Sequence, residues 1–508
     1  MPKFNLRAAK KLRSKFIITY VDKFASRFLF ICKKFYAQFL LTEFDTTDTY
    51  TRIDTSPEDL STTLINKLTV LGIPPLPPIP QIESDEENTR QKQYILSYPC
   101  IVAKLHKNPT GFRIIACQSK YELLPLAQWI NRFFTFIMDD LEKLWITTLK
   151  DANISPFPSW ICTSSREIKP LLNYLNRHVR KSDRSNVSFQ TMDFSKMYTN
   201  INLQDLKSRI HAIINRVFNA RRAQYVRLST DPLESKWSRV IDETQARNTH
   251  KYQYVDKLRF FVWFDYLVDH IYLRIGDKIF RQIIGIPMGT NPAVFIANIY
   301  CFTYELEFIM NLIEREKLSL LQSCRFVKRY IDDLLSANAI FFAKLACTPN
   351  TKQITDDINS CLYGLTGIYP PCLTVNLESE GKSNIAFLDV LIQNVNDIFI
   401  ASVYDKREHP PMNNVEDKKF PALHSLLADS SKYGIVTSQF HRFFSICSRK
   451  QDFIYRCRQL IHYMLQVKGY KYQTLKRYVY GFLSKFKYIY GSKNISSLQR
   501  QIFIRLNM

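Results

Sequence analysis

Apolar positions along the chain fall into two periods. Trp129, Ile130, Phe133, Phe134, Ile137, Leu141, Leu144 and Trp145 recur three and four residues apart, which predicts a long helix with one apolar face. Leu206, Ile210, Ile213, Ile214 and Val217 repeat the pattern behind Asn202, an N-cap residue with Asp205 three positions on. A third helix is expected over 293–310, opened by the turn Gly285-Ile-Pro-Met-Gly-Thr-Asn-Pro292, with Pro292 at its first position. Ile354, Ile358, Cys361 and Leu362 predict a short fourth. Alternation takes over elsewhere. Val187, Phe189 and Thr191 share one face of a short strand that stops at Asp193, and in the stretch 325–337 two apolar runs flank Asp332-Asp333. That arrangement predicts a hairpin with carboxylates at its bend.

On a longer scale, residues 1–70 read as helical, basic and aromatic. They are followed by a proline-rich break at 72–80 and the acidic stretch 83–87, a composition typical of a semi-rigid linker. This predicts a basic extension with its linker over 1–94, a mixed α/β body over 95–400, and a helical, basic, Tyr- and Phe-rich region over 401–508. With 46% apolar and 23% charged residues the chain can bury a sizeable core, which excludes wholesale disorder. Charge changes the picture more: 70 Lys and Arg against 46 acids leave a net charge of +24. A surplus of that size points to a polyanionic partner, because cations that neutralise phosphates release condensed counterions. The N-terminus reads as a basic nucleic-acid arm, with an organelle-targeting helix as the other reading. The 11 cysteines include no C-x-x-C pair, which argues against a zinc module or a disulfide framework and for a reducing compartment. No run of about 18 uncharged apolar residues occurs, so no membrane span is expected.

The candidate chemistry lies in the carboxylates. Nucleotidyl transfer needs two divalent cations about 4 Å apart, and hard cations want carboxylate oxygens on rigid strand ends. Asp-Asp occurs three times and serves as its own control. Asp139-Asp140 falls on the expected wet face of the 129–145 helix, and Asp356-Asp357 falls within the expected helix around Ile354. Asp332-Asp333 alone lies between strand-like runs and follows both the strand-end Asp193 and the glycine-rich turn.

The ordered set of motifs resembles reverse transcriptases, and within them the Penelope-like retroelement branch related to telomerase. The matching pieces span roughly 95–470: Lys104-Leu-His-Lys107 with Arg113, Asp193-Phe-Ser-Lys-Met-Tyr-Thr-Asn-Ile201, Gln282-Ile-Ile-Gly-Ile-Pro-Met-Gly289, Tyr330-Ile-Asp-Asp333, Phe387-Leu-Asp-Val390, and Gln439-Phe-His-Arg-Phe-Phe-Ser-Ile-Cys447. Two departures stand out. Ile284 occupies a position where relatives often carry Gln, and the chain stops without the nicking endonuclease domain that ends many Penelope-like proteins.

The resemblance implies an α+β right-hand polymerase fold with a basic helical N-terminal extension: fingers over about 95–180, a palm with an antiparallel sheet over about 185–400, and a helical thumb over 401–508. It implies an RNA-directed DNA polymerase using two Mg²⁺ or Mn²⁺ ions, with Asp193 and Asp332 bridging both, Asp333 supporting one and the Phe194 carbonyl completing the shell. Tyr198 would crowd a ribose 2′-hydroxyl. Lys104, Lys107, Arg113 and Gly289 would meet the incoming dNTP, and Gly285, Pro287 and Tyr330 the template and primer. Asp389 lies in a family-like box but reads as structural. In the C-terminal region Lys468, Lys471 and Lys476 alternate with aromatic residues and read as a grip on the template–primer backbone. The partners implied are an RNA template, a DNA or RNA primer and dNTPs, with no membrane and the oligomeric state open. A nuclear location is expected. A catalytically silent RNA-binding scaffold and a DNA-templated or template-free transferase are the alternatives.

Overall fold

The computed structural model describes residues 6–22, 24–73, 96–104, 111–118, 121–239, 249, 251–338, 341–356, 360–409, 419–485 and 495–504. They divide into two compact units, of which one comprises 1–160, 194–321 and 345–375. Its spine is the predicted long helix, Leu124–Asp151, whose Trp129, Ile130, Phe133, Phe134, Ile137, Leu141 and Trp145 are buried. Phe133 stacks on Phe260 of the helix Lys257–Asp269 with ring centroids 4.0 Å apart. The second predicted helix is Leu203–Arg221; the Asn202 side chain accepts from Asp205 N at 3.0 Å, and every residue of its expected apolar face is buried.

The third predicted helix, Ala293–Glu314, starts one residue later than expected, with Pro292 as its N-cap. By length and apolarity it would pass for a span, and 72% of its most apolar window is buried inside the protein, as in a core helix of a folded domain.

Three expectations fail in this unit. Asp140 is not on a wet face: it is buried, held by the Arg221 guanidinium and by Trp237 Nε1 at 2.9 Å. The long helix is covered on that side too, which its own periodicity cannot reveal; its neighbour Asp139 is exposed. Asp356 lies in a bend, not a helix, beside a bridge between Gln353 and Thr366 that ties the segment back on itself. Asp357 and Lys107 lie outside the described residues.

Finally, the N-terminal stretch is only partly helical. Phe16–Val21 pairs antiparallel with Phe24–Cys32, and Val21 meets Ala103 of the strand Tyr98–Lys104, which pairs in turn with Gly111–Cys117. The run Phe16-Ile-Ile-Thr-Tyr-Val21 is β-branched and aromatic, and such residues favour a pleated surface once partners arrive from 80 residues away. Tyr50–Ile53 likewise joins the hairpin of Tyr272–Ile275 and Lys278–Gln282.

The second unit comprises 161–193, 322–344 and 376–508. The predicted hairpin is present: Val327–Tyr330 pairs antiparallel with Asp333–Ala337, which pairs with Phe189–Ser195, and Thr374–Gly381 completes a four-stranded sheet. A meander of Ile385–Phe387, Val390–Val395 and Ile398–Val403 follows, then the helices Asp429–Ile446, Lys450–Gln466, Tyr472–Lys485 and Ile495–Phe503. One continuous cluster of buried side chains runs from Phe189 and Leu335 through Val390 and Phe440 to Leu475 and Ile502.

Candidate active site

The hairpin turns in two residues, Ile331 and Asp332, closed by the pair Tyr330–Asp333. Ile331 adopts φ +57°. A β-branched residue in the left-handed region is a real outlier, worth about 1–3 kcal/mol of strain, and such strain gathers at functional sites. Beneath the turn lies Arg329, fully buried, whose Nη1 donates to the Ile331 carbonyl at 3.2 Å and whose own carbonyl accepts from Cys162 N at 2.7 Å. The sequence reading passed over Arg329; a charge inside an apolar strand run was the available signal.

One register step places Asp333 directly opposite Asp193. Opposed residues on antiparallel strands share a face, with Cβ atoms about 4.5–5.5 Å apart, and like charges so placed repel. The repulsion is legible in the titration of Asp333, whose carboxyl is pushed up to about 6, by burial first and then by Asp332, with Asp193 and Glu378 adding and only the Lys406 ammonium opposing. Asp193, Asp332 and Asp333 are all half-buried. Glu378 and Lys406 are two further participants that sequence reasoning missed, since nothing local ties either to the hairpin.

As a donor set the three carboxylates suit a hard divalent cation: all oxygen, and carrying negative charge that only a cation would relieve. They are not already gathered round one point. Among the described residues no group of three or more His, Cys, Asp or Glu side chains is arranged to hold a metal ion.

The glycine-rich turn belongs to the other unit and has clear structural work. Gly285 adopts φ +81°, its N–H donates to Ile201 O at 2.8 Å, and a Cβ there would strike the Tyr198 carbonyl. Ile286 N donates to the same Tyr198 carbonyl at 2.6 Å. Gly289, at φ +126°, leaves room for the carbonyl of Ala116, whose N–H donates to Met288 O at 2.8 Å. Pro287 is buried. The turn therefore fastens the short Tyr198 helix, Met197–Asn200, and the strand Gly111–Cys117.

Among the remaining expected residues, Phe194 is buried edge-on to Tyr369, ring centroids 4.7 Å apart, and Tyr330 is half-buried against the core of its unit. Lys104 ends its strand opposite Gly111, while Arg113 Nη1 lies 3.4 Å from Asp22. Asp389 accepts from Arg442 Nε at 2.6 Å, in keeping with its structural reading. Lys471 and Lys476 are exposed. Lys468 is not an exposed cation: it is buried, with Nζ 5.4 Å from the Tyr463 ring centroid, because the turn after Lys450–Gln466 folds it inward.

No family model matches the chain, and no curated protein matches it. Among solved structures it is similar to telomerase from Candida albicans in complex with a TWJ fragment of telomeric RNA, with a TM-score of 0.52 and 10% identity over 97% of this chain and 71% of that one. It is also similar to telomerase from Candida tropicalis, with a TWJ fragment of telomeric RNA (TM-score 0.43, 12% identity) and in the apo form (0.40, 13%), each over 97% of this chain and 68% of that one. At such identity the first likeness is one of fold: the mixed helix-and-sheet architecture is telomerase-like.

Proposed function

We propose that this chain is an RNA-directed DNA polymerase that extends a 3′-hydroxyl primer on an RNA template. The observation that carries the reading is the hairpin register, which sets Asp333 opposite Asp193 with Asp332 in the adjoining strained turn. Asp193, Asp332 and Asp333 would hold two Mg²⁺ or Mn²⁺ ions, which when bound supply Lewis-acid activation of the attacking hydroxyl and charge stabilisation at the departing pyrophosphate. Tyr198, in its short helix braced by the glycine turn, restricts the sugar. Lys104, Lys107 and Arg113 grip the triphosphate, for which Arg113 must leave Asp22. The exposed cations of the C-terminal helices hold the template–primer backbone without reading its sequence. On this reading the units divide into fingers, palm and thumb, and the motifs place the protein nearest the Penelope-like branch, acting in the nucleus on RNA and a DNA or RNA primer.

A second reading, a silent RNA-binding scaffold, is favoured by the lack of a preassembled three-carboxylate group among the described residues. Primer extension on poly-rA/oligo-dT and poly-dA/oligo-dT, with Mg²⁺ or Mn²⁺, separates the two. Extension on the RNA template is expected. RNA binding with no extension under either metal supports the scaffold, and extension on DNA alone makes the chain a DNA-templated enzyme.

A further inference from the structure

The strands Tyr98–Lys104 and Gly111–Cys117 carry a cysteine each at diagonal positions of one face: Cys100 stands opposite Ile115, and Cys117 opposite Tyr98. Their sulfurs are 2.7 Å apart, far inside the ordinary spacing of two unbonded thiols, and both residues are half-buried, so small oxidants reach them. The pair is also differentiated. Either sulfur can donate in that contact; with the Tyr98 hydroxyl, which also hydrogen-bonds the Cys117 sulfur, it holds the Cys117 thiol below its usual range, while the contact and burial push the Cys100 thiol up. A lowered thiol beside a raised one is the division of labour of an attacking and a resolving cysteine. The fully buried Cys324 and Cys457 are raised instead and are poor nucleophiles.

We propose that Cys100 and Cys117 are a modification site, a cross-strand dithiol that a hydroperoxide converts reversibly to a disulfide. The Cys117 thiolate attacks the peroxide oxygen, breaking the O–O bond and releasing hydroxide, and becomes a sulfenic acid. The Cys100 sulfur then attacks that sulfur, its proton leaves with the hydroxyl as water, and the S–S bond forms. In sum two thiols are oxidised and one hydrogen peroxide is reduced to two waters; a small thiol reverses the step by exchange. The site adjoins Ala116, whose N–H binds Met288 of the glycine turn, so the cross-link would pin the strand that anchors that turn.

The test uses the full chain, reduced and then exposed to stoichiometric hydrogen peroxide. Intact mass should fall by two hydrogens, a peptide map should join Cys100 to Cys117, and two of the 11 thiols should disappear and return with dithiothreitol. The pair should be consumed before the exposed Cys347 and Cys361. Cys100→Ser should stop at a dimedone-trappable sulfenic acid on Cys117, and Cys117→Ser should abolish oxidation at Cys100. These serine variants change one atom, and an unchanged circular dichroism spectrum verifies the fold. A folded, peroxide-treated protein with no 100–117 link, or with Cys347 or Cys361 consumed first, overturns the proposal.

Discussion

Burial of Asp333 beside other carboxylates costs the folded chain stability. Its folded carboxyl titrates at about 6, above the roughly 3.9 of an unfolded aspartate. Between those values the folded chain keeps a proton that the unfolded chain releases. Ionising Asp333 therefore costs stability, none below about pH 4 and the full amount above about pH 6. Asp333→Asn should accordingly raise the melting temperature of the metal-free protein at neutral pH and leave it unchanged in acid; a shift that ignores pH would remove the electrostatic account. Asp193→Asn and Asp332→Asn delete a ligand charge with little change of shape. Extension should fall on the order of a thousandfold, several kcal/mol of barrier at about 1.4 kcal/mol per decade, with RNA binding retained. Exposed Asp139→Asn should match the parent, and equal losses at all three positions would mean that the carboxylates are misassigned. Tyr198→Val opens space for a 2′-hydroxyl, so ribonucleotide incorporation should rise while dNTP use drops modestly in a single-nucleotide assay.

At the scale of elements, the glycine turn has a measurable signature. Gly276 and Gly285 both have positive φ, +62° and +81°, but a Cβ on Gly276 meets nothing within 4 Å whereas one on Gly285 strikes the Tyr198 carbonyl and Thr199. Gly276→Ala should cost only the left-handed penalty, about 1 kcal/mol, and Gly285→Ala clearly more, about 2–4 kcal/mol, in urea unfolding. Equal costs would show that the turn yields freely. The hairpin was legible because its alternation breaks at a polar pair, and the helices because their periods persist over several turns. The N-terminal strands were not, since Phe16–Val21 becomes a strand only by pairing with Phe24–Cys32 and touching Ala103. The short helix expected near Asp356 failed for the same reason: a bridge to Thr366 outweighed a weak period.

Across the whole molecule the net charge of +24 is the dominant long-range feature, and its partner is tested by salt. Each lost phosphate contact should flatten the log–log salt dependence of template–primer binding by about 0.9. Neutralising exposed Lys471 and Lys476 together should therefore lower the slope by up to about 1.8 and shorten products per binding event. Lys468→Gln should act differently, weakening the fold and leaving the slope alone, because that side chain is buried. A double variant with an unchanged slope would assign these helices to packing.

Local order along the chain was enough to single out the candidate residues. Asp193 follows an alternating run, although the strand itself continues to Ser195; Asp332-Asp333 interrupts two others, and Asn202, Gly285 and Gly289 mark a cap and a turn by side-chain chemistry or its absence. Tertiary structure alone decided what surrounds them. It placed Asp333 opposite Asp193, buried Arg329 under Ile331, turned Asp140 and Lys468 inward, and brought Cys100 to Cys117. Periodicity reports which face of an element is apolar, while register, cover and the meeting of distant side chains depend on packing between segments that no local pattern encodes.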